Sequence, residues 1–278
     1  MILNVLNNLI SLLCGIGAGV YYFLNNQTLS ALNIIKGIGL ALAALVGGYI
    51  AFFILIWIFF IGVAFFIKPN KDYEKPSKFF NAVFVFWYSY INNFFRVKIK
   101  VTGLEKVPFG TRFLAIANHR SNLDNMIQAL VLKKEQIAYI SKPENFKFIL
   151  CRAYMKRGLY LSIERGDVKK ALGTILKAIS YIKENVVSVG VFPEGRRSKT
   201  GELLDFKPGC FKIAEKTGCP IVVCTLDGTE KVHKNFPWKK TVVNFDVIKV
   251  FNYEEYKDLP TVEISERIRK LMLEKLGK

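Results

Sequence analysis

The sequence predicts an α/β fold, with a mostly parallel central sheet flanked by helices and an apolar N-terminal helical membrane anchor. Three observations carry that expectation. Residues 1–67 contain a single charged side chain, Lys36. From residue 97 onward, short β-rich runs alternate with helical ones, the pattern of a parallel sheet with helices packed on it. No internal repeat or low-complexity tract interrupts the alternation. The domain boundary is placed at 95/96, with anchoring helices over 1–95 and the α/β domain over 96–278.

In the leader, residues 37–67 run for 31 residues without a charge and are rich in Leu, Ile, Phe, Ala and Gly. As a helix this would measure roughly 46 Å, longer than a hydrocarbon core of roughly 30 Å. It is therefore expected to tilt, to bend near Gly47-Gly48, or to lie partly at the interface. Residues 9–24 form a shorter apolar segment, open to two readings, a span or one arm of a re-entrant pair. No basic n-region or small-residue cleavage pattern marks a secretory signal. Lys68, Lys71, Lys75 and Lys78 follow the long segment at once. The positive-inside rule then puts everything after them on the cytoplasmic side of the cell membrane. Residues 79–95 mix aromatics with asparagines and carry no charge, which fits an interfacial helix, or alternatively a core helix of the following domain.

In the body, strands are expected over 97–101, 112–117, 137–140, 159–163, 188–192, 221–225 and 242–251. Helices are expected over 123–132, 168–183, 209–216 and 262–276. In 168–183 the residues Val168, Leu172, Ile175, Leu176, Ile179 and Ile182 fall on one helical stripe, with Asp167 as N-cap.

Charge narrows the partners. The chain carries a formal +18, and 39 of its 40 basic residues follow the leader. A cationic body behind an apolar leader favours an anionic membrane surface and anionic substrates. Nucleic acid is set aside, since no arginine-rich run or recognised binding motif accompanies the charge. The five cysteines have neither C-x-x-C spacing nor histidine partners, which argues against a disulfide framework or a zinc site.

Two motifs carry chemistry. Residues 113–117 read as a buried strand delivering Asn118 and His119 to its C-terminal edge, where open α/β sheets bind ligands. Ser121 or Asn122 is expected to cap the next helix, with Asp124 in its first turn and within reach of the imidazole. A carboxylate on one ring nitrogen leaves the other free to take a proton. The competing reading is a structural histidine. Ser121 as a covalent nucleophile is a further option, without an obvious base of its own. The second motif is a strand ending in Phe192-Pro193-Glu194-Gly195-Arg196-Arg197-Ser198. Gly195 permits a tight turn, and guanidinium groups at a strand end suit phosphate. Arg165, after the strand at 159–163, is expected to converge on the same edge, and Lys207 offers a further cation. Glu194 is read as orienting a guanidinium or backbone amides. His233 is assigned no chemistry; it lies in a solvated basic loop whose Phe236 and Trp238 offer contact with lipid headgroups.

These residues resemble the glycerolipid acyltransferases, most closely the bacterial 1-acyl-glycerol-3-phosphate acyltransferases. Four blocks match in order: Asn118-His119 through Asp124; Gly158 to Arg165; Phe192 to Ser198; and Pro220-Ile221-Val222-Val223. Lys142, Glu144, Phe146 and Phe206-Lys207-Pro208-Gly209 add to the similarity, which covers about residues 101–224. The resemblance implies that His119 is the general base and Asp124 its partner. It also implies that Arg165, Glu194, Gly195 and Arg197 contribute to glycerophosphate binding. Arg196 stands where the family usually has threonine, adding a charge that bears on acceptor selectivity, and Glu164 replaces the usual aspartate.

The expected reaction moves an acyl chain from acyl carrier protein or coenzyme A to the sn-2 hydroxyl of a membrane 1-acyl-glycerol-3-phosphate, giving phosphatidic acid without an acyl-enzyme. Backbone amides near the histidine turn or the Gly195 turn are the expected oxyanion donors. No metal or bound cofactor is implied. Two alternatives stay open: the same chemistry on glycerol-3-phosphate or another lysolipid, and a non-catalytic lipid-binding protein.

Overall fold

A computed structural model of the protein describes residues 2–277 except Gln27, Leu29, Pro69, Asn70 and Arg165, and, for residues 2–4 and 149–151, the backbone only. The chain divides into two compact units at Ile67/Lys68. The first unit is a helix pair, α1 (Ile2–Asn25) and α2 (Ala31–Phe65). Both are long and apolar enough to cross a membrane. Cys14 lies against Gly48 and Phe23 against Gly37, so the two run antiparallel. α2 starts where the Ser30 side chain accepts the Asn33 amide and continues through Gly47-Gly48 without interruption.

The second unit begins with α3 (Lys78–Phe94), capped by Ser77. α3 buries Val83, Phe84, Tyr88, Tyr90 and Asn92. Phe84 stacks on Tyr160 at 6.2 Å, and the Tyr88 and Tyr160 hydroxyls meet at 2.9 Å. The compact units divide ahead of α3, and the aromatic side chains Phe84 and Tyr88 of α3 pack into the body. Phe79 and Phe86 of α3 stay exposed.

The body then alternates: β1 (Val97–Thr102), β2 (Leu114–Ala117), α4 (Asp124–Val131), β3 (Ile137–Ser141), α5 (Ile149–Arg157), β4 (Leu161–Ser162) and α6 (Val168–Lys183). It continues with β5 (Ser188–Val191), α7 (Lys212–Thr217), β6 (Ile221–Asp227), α8 (Val232–Asn235), β7 (Thr241–Phe251) and α9 (Thr261–Leu276). The sheet has seven strands in the order β1-β7-β6-β2-β5-β3-β4. Every neighbouring pair is parallel except β6 with β7. The expected α/β class holds.

Alternation along β2 shows how the core is divided. Leu114 and Ile116 enter one cluster, with Ile179 of α6 and Ile268 of α9, while Ala115 and Ala117 enter the other, with Ile127 of α4. With apolar side chains on both faces, β2 is the buried middle strand that a parallel sheet requires.

Several elements depart from expectation. The strand expected over 159–163 shrinks to β4, because Leu159 takes a left-handed φ of 62° and turns the chain. The helix expected over 209–216 opens as a 3-10 turn at Pro208–Phe211, where proline sits at the first position, before α7. α5 was not expected. Asp167 does cap α6, accepting the Lys170 amide at 3.0 Å.

Gly190, in central β5, has no room for a side chain. A Cβ there would lie 2.5 Å from Tyr139 Cε1 and 2.9 Å from Ile137 Cγ2. Gly190→Ala is expected to destabilise the body by about 1–3 kcal/mol through overpacking, read as a lower denaturation midpoint at unchanged slope.

Candidate active site

β2 and β5 are adjacent and parallel, with Ile116 opposite Val191, so their C-terminal ends deliver the two motifs side by side. The next residue after β2, Asn118, extends the ladder with its side chain. Its amide donates to the Leu226 carbonyl at 2.8 Å and accepts the Leu226 N–H at 2.7 Å. This fixes the backbone from which His119 projects.

His119 is then bracketed by the second motif. Its N–H donates to Glu194 Oε1 at 2.6 Å, and its carbonyl accepts the Ser198 N–H at 2.8 Å. The imidazole stacks on Phe192 at 4.5 Å between centroids. Its Nδ1 lies 2.8 Å from Asp124 Oδ2, which leaves Nε2 as the remaining ring nitrogen. The histidine side chain is 22% exposed and the aspartate 0%.

Asp124 does more than pair with the histidine. The same Oδ2 accepts the Arg120 amide at 2.6 Å and the Ser121 amide at 2.7 Å. The carboxylate thus folds the loop 120–123 around itself. This differs from the expected cap: α4 starts without a side-chain cap, and Ser121 Oγ instead accepts the Leu123 amide. The difference also bears on the expected oxyanion donors. The amides of His119, Arg120 and Ser121 are committed to carboxylates, and that of Gly195 to the Phe192 carbonyl.

Glu194 is 3% exposed, and both its oxygens accept backbone amides, from His119 and from Leu204 at 3.0 Å. Burial pushes its carboxyl above the usual range, against the pull of those two amides. Of its two expected roles, the structure shows the orienting of backbone amides. Glutamine could accept only one of the two bonds. Glu194→Gln is expected to cost about 1–3 kcal/mol of stability, since one buried amide loses its acceptor. It should also lower kcat more than it raises KM, because the histidine backbone is displaced and not the acceptor site; thermal unfolding and steady-state kinetics check both.

Gly195 has φ 69°, a left-handed turn that returns the chain beneath His119. Arg196 and Arg197 follow, both exposed and without an ion pair among the described residues. Lys207 joins them: its N–H donates to the Pro193 carbonyl at 2.8 Å, and its Cγ lies 3.7 Å from where a Gly195 Cβ would be. Arg165 lies outside the described residues. Arg120, unremarked in the sequence, is a buried cation whose Nη1 lies 2.5 Å from Asp227 and 3.8 Å from Glu230, tying the histidine turn to the end of β6.

Three of the cysteines are poor nucleophiles. Burial pushes the Cys210 and Cys224 thiols up to about 12 and raises that of Cys219. A reactive cysteine needs the opposite shift. Among the described residues no group of three His, Cys, Asp or Glu is placed to ligate a metal.

The arrangement is a buried carboxylate, an imidazole whose Nε2 has no hydrogen-bond partner among the described residues, and a cationic turn on one sheet edge. Residues 98–227 match the family model described as Acyltransferase. A chloroplast 1-acyl-sn-glycerol-3-phosphate acyltransferase of Brassica napus is 35% identical over 136 residues, covering 49% of this chain and 39% of that one. The Escherichia coli (strain K12) protein of the same description is 28% identical over 163 residues, covering 58% of this chain and 66% of that one. The chain thus spans about two fifths of the length of the plastid relative. In fold, it is similar to the crystal structure of the 1-acyl-sn-glycerophosphate acyltransferase PlsC of Thermotoga maritima, with a TM-score of 0.59 and 23% identity, covering 71% of this chain and 79% of that one.

Proposed function

We propose that this chain, whose residues 98–227 match the family model described as Acyltransferase, acylates the sn-2 hydroxyl of a 1-acyl-glycerol-3-phosphate, yielding phosphatidic acid. The observation that carries the reading is the His119 Nδ1–Asp124 Oδ2 contact of 2.8 Å, with the carboxylate buried and the ring partly open to solvent. Nε2 takes the hydroxyl proton as the lipid oxygen attacks the thioester carbonyl. The tetrahedral adduct then expels the thiolate, which receives the proton back from the imidazolium. The donor is a thioester of acyl carrier protein or coenzyme A, and the catalytic edge works at the cytoplasmic face of the membrane.

The acceptor's phosphate falls to the cations at the Gly195 turn, Arg196, Arg197 and Lys207, with Arg165 as a further candidate. Charge-assisted bonds of this kind contribute about 1.5–3 kcal/mol each. Arg197→Ala is therefore expected to raise KM for the phosphate-bearing acceptor by roughly 10- to 100-fold, leaving the maximal rate less affected.

The test of the whole reading is a purified-protein assay with lysophosphatidic acid, glycerol-3-phosphate and a neutral lysolipid competing as acceptors, repeated with each donor. Lysophosphatidic acid should be acylated preferentially. Acylation of the neutral lysolipid alone would remove the phosphate assignment, and preference for glycerol-3-phosphate would move the acceptor.

A further inference from the structure

A second surface on the sheet edge that carries His119 is left unused by acyl transfer. β6 ends at Asp227 and β7 begins at Thr241, and residues 228–240 connect them. Ala117 lies opposite Cys224, and Asp227 opposite Asn244, so this connection emerges at the edge where β2 also ends. β1 starts there too, with Val97 opposite Thr241. With β6 next to β2 and β7 one strand further, strands about 4.8 Å apart put the ends of the connection one to two strand widths, roughly 5–10 Å, from β2.

The loop is held from beneath. Phe236 packs against Phe94 at 5.2 Å and Phe95 at 5.1 Å. Arg96 Nη1 donates to the Pro237 carbonyl at 2.7 Å and reaches the Trp238 carbonyl at 3.4 Å. With its backbone fixed in this way, Trp238 points outward and is 84% exposed.

Charge surrounds it. Lys231, Lys234, Lys239 and Lys240 are exposed, and none makes an ion pair among the described residues. No acidic residue occurs from Lys231 to Lys240. The nearest carboxylates in the chain, Asp227 and Glu230, face Arg120.

An indole has an apolar body and one N–H, and it settles at the headgroup level of a bilayer. Lysines around it reach anionic phosphates from the same plane. A purely acidic protein partner would answer the lysines but not the indole. We propose that Trp238 and the lysines around it form a docking surface for an anionic phospholipid bilayer, which seats the His119 edge at the headgroup plane. The inference rests on the acyl-transfer reading only in taking the acceptor to be a bilayer lipid.

The test uses the full chain in nanodiscs of phosphatidylcholine alone, or of phosphatidylcholine with phosphatidylglycerol, with and without brominated acyl chains. Subtracting the fluorescence of Trp238→Phe from that of the wild type isolates this indole from Trp57 and Trp87. In phosphatidylglycerol discs the difference emission is expected to shift to the blue and to lose most of its intensity to bromine. The triple substitution Lys234→Gln, Lys239→Gln, Lys240→Gln should abolish that response, while circular dichroism stays unchanged. A water-like, unquenched difference emission in both disc types overturns the proposal. So does equal quenching in neutral and anionic discs, which removes the charge recognition. A shift seen only on adding acyl carrier protein reassigns the surface to a protein partner. Acyl transfer is measured separately on the same protein in detergent micelles: its absence, with quenching intact, would sink the functional reading and leave the docking surface standing.

Discussion

His119→Ala is expected to lower kcat/KM for acyl transfer by about 10²–10⁴, the usual worth of a positioned base. Stability should change little. The ring is partly exposed and packs on one face of Phe192. Asp124 keeps two backbone donors after its removal, from Arg120 and Ser121. A change within about 1–2 kcal/mol is therefore expected for the loss of one hydrogen bond and a stacked ring. Activity and thermal unfolding measured on one preparation separate the roles. A structural histidine would lower stability and leave the specific activity of the folded fraction intact.

Asp124→Asn is the second large effect, and it should fall on both quantities. Three donors converge on Oδ2, namely His119 Nδ1, Arg120 N and Ser121 N, so an asparagine must place its carbonyl oxygen there. The imidazole tautomer is thereby preserved, and what disappears is the negative charge. Opposite charges about 4 Å apart at an effective dielectric near 20 attract by about 4 kcal/mol. If that stabilisation acts on the imidazolium formed in the transition state, the rate falls about 10³-fold. The asparagine amide would then occupy the position of Oδ1, which is buried without a hydrogen-bond partner among the described residues. A buried donor so placed costs about 1–3 kcal/mol, a few degrees of melting temperature in a body of this size. Stopped assays and calorimetry on the variant check the two numbers. An unchanged rate would mean that the carboxylate only folds the loop.

Local chemistry explains which parts of this architecture were legible in the sequence. Only half of the stripe expected on α6 is buried: Ile175, Ile179 and Ile182 enter the core, whereas Val168, Leu172 and Leu176 are exposed. The bounds of α6 and its cap at Asp167 are legible in consecutive positions. The pairing of His119 with Asp124 was legible for the same reason, both groups lying within one turn. α3 was less legible: a helix rich in aromatic residues suits a bilayer interface or a core, and the choice depends on Phe84 finding Tyr160. β4 was overdrawn because an apolar run does not reveal the left-handed turn at Leu159.

The residues missed at the site share one property. Asn118 meets Leu226 and Arg120 meets Asp227 across 108 and 107 positions. Such contacts follow from β6 lying beside β2, an order that no local pattern encodes. A single polar signal was present: Asn118 directly follows four buried strand residues, where an amide must find partners. Glu194 was correctly read as an orienting group, although its partners, the amides of His119 and Leu204, again depend on the fold.

The most direct test follows a labelled acyl thioester through the purified full chain, with and without lysophosphatidic acid, in the wild type and in His119→Ala. Direct transfer predicts label in phosphatidic acid only when acceptor is present, no labelled protein at any time, and near-complete loss of product in the variant. Stoichiometric labelling of the protein before acceptor is added, or undiminished product from His119→Ala, would contradict it.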